Sequence, residues 1–448
     1  MPETIRHSAI AGLSSVAIVA LSAISVIPAQ SVAQSAGRPA SQAAYFPAGG
    51  DAWERRTPAQ VGLTAQTVDS AVKIAIASES QSPRDLYESH RAGFNREPFG
   101  EVTGPFRDRS AAGGMIIKRG YIVAEWGDTD RPENTFSVTK SFVTTTIGLA
   151  YDRKMIKAIT DPVRSYMAPI VAYKGALGFA PLVPVAATEM GGSGPASTRQ
   201  RPVAYDAFEM IEPFESNHNR KITWEHLLRQ TSDWQGTIWG KPDWADRLAR
   251  NTTDTAAVIN RARTEPGSVF VYNDVRVNVM ALASVNVWRR PLPQVLKEYV
   301  MDPIGASSTW RWYGYDNSWI VLDGQLVQSV AGGAHWGGGM IISARDMARF
   351  GLLTLHNGKW NGKQLISEEW IRMSRTPGPA NNTYGFANFY LNTGRRPLPS
   401  APEQAFYHVG AGSNLVYVDP VNDLVIVTRW INSARSLDAM IKLVVDTK

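Results

Sequence analysis

The segment from Asn134 to Phe142 constrains the fold more than any other part of the chain, because it combines a helix start with two reactive side chains. Ser137 and Lys140 lie three residues apart, a spacing that places both side chains on one helix face, about 5–6 Å apart at Cβ. Apart from a run of threonines, the residues that follow through Ala150 are mostly apolar, and a helix that is apolar on most sides is a buried one. The sequence therefore predicts a buried helix with a serine hydroxyl and a lysine amine at its N-terminus.

These two side chains are suited to act as a nucleophile and its base. A serine hydroxyl is a weak nucleophile until a neighbouring group accepts its proton. A lysine accepts that proton only when it is neutral, and burial lowers the pKa of a lysine from its usual value of about 10.4. Composition alone, however, predicts about one Ser-x-x-Lys by chance in a chain of this length. The pair needs further partners before it indicates catalysis.

A first partner is Tyr272, which stands just before a predicted helix that begins near Val275. A tyrosine beside a neutral lysine can accept a proton as a phenolate or donate one to a leaving group. The alternative is a half-buried aromatic residue ahead of a helix whose N-cap is Asp274.

A second partner is the strand that contains His408 and runs into the turn Gly410-Ala411-Gly412. Glycines there allow a substrate to approach the backbone closely, and the N–H of Ala411 could join that of Ser137 as an oxyanion hole. The alternative is an ordinary hairpin end with a partly exposed histidine.

Taken in chain order, three short segments resemble the three motifs of the penicillin-recognising serine hydrolases: Ser137-Val138-Thr139-Lys140, Tyr272-Asn273-Asp274 and His408-Val409-Gly410. That superfamily includes class C β-lactamases, D-alanyl-D-alanine peptidases, family VIII esterases and 6-aminohexanoate-dimer hydrolases. Residues 58–63, 222–228 and 343–350 also resemble family segments. The Tyr-Asn-Asp form and the glycine run after His335 are most similar to the 6-aminohexanoate-dimer hydrolases. The resemblance covers about residues 52 to 445.

The resemblance implies a role for each motif residue. Ser137 would be the acylated nucleophile, Lys140 its proton acceptor, and Tyr272 the group that carries the proton to the leaving group. The backbone amides of Ser137 and Ala411 would hold the oxyanion. The implied chemistry uses no metal and no cofactor, and acts on a small-molecule ester or amide. The other residues expected at the substrate site are Asp274, His408, Gly410 and Trp336.

Two residues depart from the pattern of the family. Asp274 stands where asparagine is usual, and a carboxylate near a lysine favours the charged form of the amine. Either Asp274 points away as a helix cap, or Tyr272 carries more of the base function. His408 stands where β-lactamases and peptidases have a lysine that pairs with a substrate carboxylate, and a largely neutral histidine does so weakly at pH 7. The sequence therefore favours simple esters or amides, although Arg429 on a neighbouring strand could replace the missing charge.

The pattern of predicted elements indicates an α+β fold of the β-lactamase/transpeptidase-like type: an antiparallel sheet flanked by helices, with an inserted, mainly helical domain. Strands at both ends predict sheet parts at about 52–136 and 330–448, around a helical part at about 137–329. Together they form one catalytic domain at 52–448. Residues 175–219 are rich in glycine, proline and polar residues and are expected to form an insertion or lid.

The N-terminal residues predict where the protein is located in the cell. Residues 1–33 have the apolar run and the small-x-small site of a secretory signal peptide, with an uncleaved anchor as the alternative, and residues 34–51 are expected to be a linker. The protein is therefore expected to be periplasmic or secreted, without a stable membrane span after cleavage.

The absence of cysteine excludes thiolate nucleophiles and zinc–thiolate sites. The formal charge of +6 is spread along the chain, with no nucleic-acid-binding motif.

The sequence as a whole predicts an exported serine hydrolase that cleaves carboxylic esters or amides through an acyl-enzyme on Ser137. A β-lactamase or D-amino-acid peptidase is the alternative within enzymes. A penicillin-binding sensor that acylates without turnover is the alternative outside them. The oligomeric state is left open.

Overall fold

The computed structural model describes residues 44–50, 52–94, 97–174, 207–246 and 254–445. The predictions for the signal peptide, for most of the linker and for residues 175–206 of the insertion lie outside the described residues. The α-helices of the described part are α1 Ala65–Ala77, α2 Leu86–Phe94, α3 Thr139–Asp152, α4 Trp224–Leu228, α5 Thr255–Ile259, α6 Asp274–Trp288, α7 Leu292–Leu296, α8 Ala344–Leu355, α9 Glu368–Ser374 and α10 Ala434–Val445.

The strands are short except for β8. They are β1 Gly113–Lys118, β2 Tyr121–Trp126, β3 Glu133–Asn134, β4 Ile170–Tyr173, β5 Phe208–Ile211, β6 Thr237–Ile238, β7 Lys241–Pro242, β8 Arg311–Leu322, β9 Gln325–Val330, β10 Gly339–Ile342, β11 Lys359–Trp360, β12 Lys363–Gln364, β13 Tyr390–Leu391, β14 Phe406–Gly410, β15 Asn414–Asp419 and β16 Leu424–Arg429.

The main sheet joins the two ends of the chain, as the sequence predicts. Its strand order is β13-β14-β15-β16-β1-β2, and every neighbouring pair is antiparallel. The contact between the two ends is the β1–β16 pair, in which Ile116 faces Ile426. Strands β1 and β16 are buried and mostly apolar on both faces. Both faces of the sheet must therefore be covered by other elements.

Helices cover both faces of this sheet. On one face, α1 and α10 pack against a cluster that includes Val68, Ile116, Ile426 and Met440. On the other, α8 lies so close that a Cβ on Gly351 would stand 2.7 Å from Val416 Cγ1. Beyond α8, helices α3 and α6 pack against each other. This arrangement confirms the predicted antiparallel sheet with flanking helices.

The predicted helical middle also supplies most of a second sheet, which the sequence did not indicate: β4, β5, β8 and β9 come from it, and β3 and β10 flank it. It has the strand order β3-β10-β8-β4-β5, and β9 pairs with β8. The register between β8 and β9 shifts between Gly314 and Trp319, so β8 has no regular alternation that would mark it as a strand. Within the residues that the structure describes, no helix has both the length and the apolar character needed to cross a bilayer.

Candidate active site

Ser137 lies where the short strand β3 gives way to a 3-10 turn, Phe136–Val138, that continues directly into α3. Phe136 has a positive φ of 49°, a backbone conformation that costs energy for a residue with a side chain and that clusters at functional sites. The side chain of Ser137 is partly exposed, whereas Thr139 to Ala150 are all buried. The structure thus confirms a buried helix with a serine at its accessible N-terminal end.

Lys140 is completely buried directly beneath this serine. Its ammonium nitrogen donates to Ser137 Oγ at 2.8 Å and to the carbonyl oxygen of Gly333 at 3.1 Å. It also forms an ion pair with Asp274 Oδ1. The predicted contact between the Ser137 hydroxyl and the Lys140 amine is therefore present, within the distance at which a proton can pass between them.

Asp274 does not cap the helix that it begins. Asn273 is the N-cap of α6, and its side chain accepts from the N–H of Arg276 at 3.0 Å. The alternative in which Asp274 points away from Lys140 is therefore wrong. A Cβ on Gly333 would stand only 2.5 Å from Asp274 Oδ1, so the backbone can pass this close to the ion pair only because residue 333 has no side chain.

Tyr272 approaches the same lysine from the other side. The centroid of its ring lies 4.7 Å from Lys140 Nζ, and its edge meets Tyr384 at a ring separation of 6.4 Å. Ser137, Lys140 and Tyr272 thus come together from two segments separated by more than a hundred residues. The roles given to them by resemblance remain predictions.

The end of β14 lies directly against the backbone of Thr135 and Ser137. A Cβ on Gly410 would overlap the carbonyl oxygen of Thr135 and would stand 3.0 Å from the amide nitrogen of Ser137. Only glycine allows this approach. The approach involves the residue directly before Ala411, and the role of Ala411 as an oxyanion donor stays a prediction.

His408 differs from its prediction, because its ring faces the protein interior and not the substrate site. Its Nδ1 lies 2.9 Å from Ser141 Oγ and 3.1 Å from the carbonyl oxygen of Asn388. Phenylalanine rings pack around it: Phe350, Phe389 and Phe406. Burial lowers the pKa of His408 to about 3, so the ring is neutral at physiological pH.

Arg429 does not replace the charge that His408 lacks. Its guanidinium is buried and bonds to Asn414 Oδ1 at 2.9 Å and to the carbonyl oxygen of Ile342, and Glu133 lies 3.7 Å away. Both basic residues that the sequence offered for a substrate carboxylate, His408 and Arg429, are therefore engaged inside the protein.

The buried neutral state of His408 predicts how stability depends on pH. The unfolded histidine titrates near pH 6.5, while the folded group titrates near 3. Between these values the unfolded state binds more protons, so stability is full above about pH 6.5 and falls as the pH drops, by at most about 1.4 kcal/mol per pH unit. We expect His408→Leu to flatten this dependence, as measured by urea unfolding between pH 4 and 7. Equal slopes in both proteins would contradict the buried neutral state.

Trp336 also differs from its prediction as a substrate-binding residue. Its side chain is fully buried between Tyr315 and His335. Its carbonyl oxygen accepts from the N–H groups of Thr103 and Gly104, both at 3.0 Å. The residue of this segment that contacts Lys140 is Gly333, through its carbonyl oxygen, and the indole of Trp336 does not line the site.

Sequence reasoning missed two groups of residues near the site. The first is a tyrosine cluster on β13 and β14, in which Tyr390 stacks on Tyr407 at 5.3 Å and contacts Tyr384 edge-on at 4.9 Å. Burial raises the pKa of Tyr390 well above its usual value, so this phenol stays protonated. The run of aromatic residues from Tyr384 to Tyr390 was the available signal.

The second missed group is buried behind Asp274. Ligand-type atoms of Glu97, Asp246 and His335 lie within 4.8 Å of one another, and His335 Nε2 is 2.6 Å from Glu97 Oε2. These donors are of the kind that bind metal ions, but Glu97 is already bonded to the imidazole. No local pattern in the sequence links these three positions.

Comparisons with known proteins agree with the geometry. A family model described as Beta-lactamase matches residues 107–436. A curated Escherichia coli O157:H7 protein, provisionally named D-alanyl-D-alanine carboxypeptidase, is 24% identical over 208 residues. That alignment covers 39% of this chain and 48% of the relative, so it spans about half of the relative's length.

Solved structures are similar at low sequence identity. A family VIII carboxylesterase matches with a TM-score of 0.49 and 16% identity, over 86% of this chain and 99% of that one. A penicillin-binding protein homologue from Caulobacter crescentus matches with a TM-score of 0.46 and 14% identity, over 81% and 98%.

The family match covers well over half of the chain and includes Ser137, Lys140, Tyr272 and Gly410. This chain therefore belongs to the beta-lactamase family of penicillin-recognising serine hydrolases.

Proposed function

We propose that this serine hydrolase cleaves uncharged carboxylic esters or simple amides through an acyl-enzyme on Ser137. The observation that carries the proposal is the bond of 2.8 Å between Lys140 Nζ and Ser137 Oγ, at the accessible end of an otherwise buried helix. The ring of Tyr272 lies over the same amine. A serine hydroxyl in contact with an amine, with a phenol ring beside that amine, supplies the groups that acyl transfer uses.

Acylation begins when Ser137 Oγ attacks the carbonyl carbon while its proton moves to Lys140. The oxyanion that forms is held by the N–H groups of Ser137 and Ala411, which stabilise charge only as it develops. Tyr272 passes the proton to the leaving alcohol or amine, and the C–O or C–N bond breaks. Water then attacks the acyl-enzyme with the same groups acting in reverse, and Ser137 is released.

The preference for uncharged substrates rests on two basic residues, neither of which is available to pair with a substrate carboxylate. His408 is buried and neutral, and Arg429 is bonded to interior groups. Neither can pair with the carboxylate that substrates of D-alanyl-D-alanine peptidases and β-lactamases carry. The partly exposed tyrosines 272, 390 and 407 instead favour apolar or aromatic acyl groups.

A substrate panel tests this proposal. We expect steady hydrolysis of short-chain and aromatic nitrophenyl esters, with slower turnover of anilides and of nitrocefin. Faster hydrolysis of nitrocefin than of every ester would favour the β-lactamase alternative. Release of D-alanine from a D-alanyl-D-alanine peptide would favour the peptidase named for the Escherichia coli relative. A single stoichiometric burst without turnover would favour the penicillin sensor.

Tyr272→Phe is expected to slow acylation by roughly 10²- to 10⁴-fold, because it removes the hydroxyl that moves a proton in the transition state. Stopped-flow measurement of nitrophenol release gives the acylation rate. Tyr384→Phe is the matched control: its ring touches Tyr272, but its hydroxyl accepts from the N–H of Asn388 at 2.7 Å. Near-full rates in Tyr272→Phe would remove the phenol from the mechanism.

We also propose that the protein is exported, on the strength of the apolar run and the site at Ser31-Val32-Ala33. Expression in a bacterial host followed by fractionation and N-terminal sequencing tests this. A mature form that begins just after Ala33 and is recovered from the periplasm or medium is the expected result, and an intact form in the cytoplasm would contradict it.

A further inference from the structure

The buried ion pair between Lys140 and Asp274 opposes the base function proposed for Lys140. Lys140 must be neutral to take the proton of Ser137, yet Asp274 Oδ1 faces its amine inside the protein. A carboxylate in this position favours the charged ammonium. If Lys140 is to act as a base, another group must reduce the electrostatic stabilisation that Asp274 gives to its ammonium form.

The second oxygen of Asp274 shows what does so. Asp274 Oδ2 lies 3.9 Å from His335 Nδ1, and the other ring nitrogen lies 2.6 Å from Glu97 Oε2 and 4.0 Å from Asp246 Oδ1. Asp246 also accepts the backbone N–H of Asp274. A continuous line of buried groups thus runs from Glu97 through His335 and Asp274 to Lys140 and Ser137.

The distances around the imidazole favour the charged ring. Nε2 contacts Glu97 Oε2 at 2.6 Å, and a neutral ring has one further nitrogen, which is either a donor or an acceptor. The separation of 3.9 Å between Nδ1 and Asp274 Oδ2 is too long for a hydrogen bond. At that distance an imidazolium attracts the carboxylate as an ion pair, whereas a neutral ring carries no charge to do so.

The surroundings of His335 fit a cationic ring. The acidic groups that face it are Glu97, Asp246 and Asp274, while the cations nearby are Lys140, reached through Asp274, and Lys241. From α2, His90 faces it at a ring separation of 6.0 Å, and burial lowers the pKa of His90. Glu101 is mainly solvent-exposed and lies beside Lys241. With an imidazolium, three buried carboxylates meet three cations.

We propose that His335 is a positioning residue, whose charge occupies one oxygen of Asp274 and so allows Lys140, on the other oxygen, to lose its proton and activate Ser137. Asp274 and the imidazolium together form a neutral pair beside the amine. His335 itself does not touch the substrate. This inference rests on the proposed acylation of Ser137.

His335→Gln in the full-length enzyme tests the inference through the pH profile of acylation. Without the ring charge, Asp274 holds the lysine proton more tightly, so we expect the acid limb of the profile to move to higher pH by about one unit or more. Each unit lowers the rate at neutral pH about tenfold, whereas the rate on the alkaline side recovers towards that of the unchanged enzyme. A rate that falls equally at every pH would indicate a merely structural role and overturn the inference.

Two further variants separate the charge effect from damage to the fold. Asp274→Asn combined with His335→Gln removes the carboxylate as well, and is expected to return the limb towards lower pH. His90→Gln changes a neighbouring buried histidine that bonds to the carbonyl oxygen of Gly100 at 2.8 Å, and is expected to leave the limb in place. A limb that stays shifted in the double variant, or that shifts equally in His90→Gln, would contradict the role of His335.

Two controls separate the role of His335 from a metal site and from a failure of the proposed nucleophile. Loss of activity on dialysis against a chelator, restored by a divalent ion, would make the cluster a metal site and overturn the inference. Fluorophosphonate labelling that persists in Ser137→Ala would refute the proposed function itself. Labelling lost in that variant, together with an unmoved limb in His335→Gln, would refute only the role of His335.

Discussion

Ser137→Ala is expected to reduce ester hydrolysis by roughly four orders of magnitude or more and to abolish labelling by a fluorophosphonate probe. Loss of a nucleophile that acts together with its base removes the covalent route entirely, and only binding and oxyanion stabilisation remain. The fold should tolerate the change, because the serine side chain is partly exposed and loses one hydrogen bond, that from Lys140. Labelling followed by mass spectrometry of the modified peptide gives the result directly.

The matched control is Ser141→Ala, one helical turn further along α3. Ser141 is buried and bonds to His408 Nδ1 at 2.9 Å, so it shares the helix but not the site. We expect Ser141→Ala to keep its labelling and most of its activity, with a stability loss of about 1 kcal/mol. Labelling that disappears in Ser141→Ala and survives in Ser137→Ala would show that Ser141 is the nucleophile and refute the assignment.

The local part of this site could be predicted from the sequence, because it depends on spacing. A separation of three residues places Ser137 and Lys140 on one helix face, and the apolar run after them indicates burial. The glycine at position 410 marks a close approach of the backbone, and the structure places that approach at the amide of Ser137. These features need no knowledge of distant segments.

The orientation of β14 could not be predicted in the same way. Alternation along a strand shows that His408 and Gly410 share one face, but not which face is covered. Here both faces of the main sheet are packed, so a polar residue such as His408 can lie in the core. The histidine resembled a surface residue only because half-exposed strands are the common case.

The cluster behind Asp274 also lies beyond sequence reasoning. Glu97, Asp246 and His335 come from three segments that are separated by about ninety residues or more, and each is unremarkable locally. The resemblance identified Asp274 as unusual beside Lys140, but only the fold shows that its second oxygen faces an imidazole. The groups that compensate a buried charge come together through tertiary contacts, and such contacts produce no periodic pattern in the sequence.

Lys140→Ala is expected to cost both activity and stability, for different reasons. Acylation should slow by several orders of magnitude, since nucleophile and base act as a unit. Stability should fall by about 3 kcal/mol, the lower end for a broken buried ion pair, because Asp274 would lose its ammonium partner and keep only the longer contact with His335. Denaturant unfolding and stopped-flow acylation measure the two effects separately.

The double variant Lys140→Ala with Asp274→Asn distinguishes the two contributions. Replacing the carboxylate by an amide removes the unpaired charge, so much of the lost stability should return. The acylation rate should stay low, because no amine is present to accept the proton of Ser137. Recovery of the rate together with stability would show that Lys140 serves only to neutralise Asp274, and the base would then have to be Tyr272.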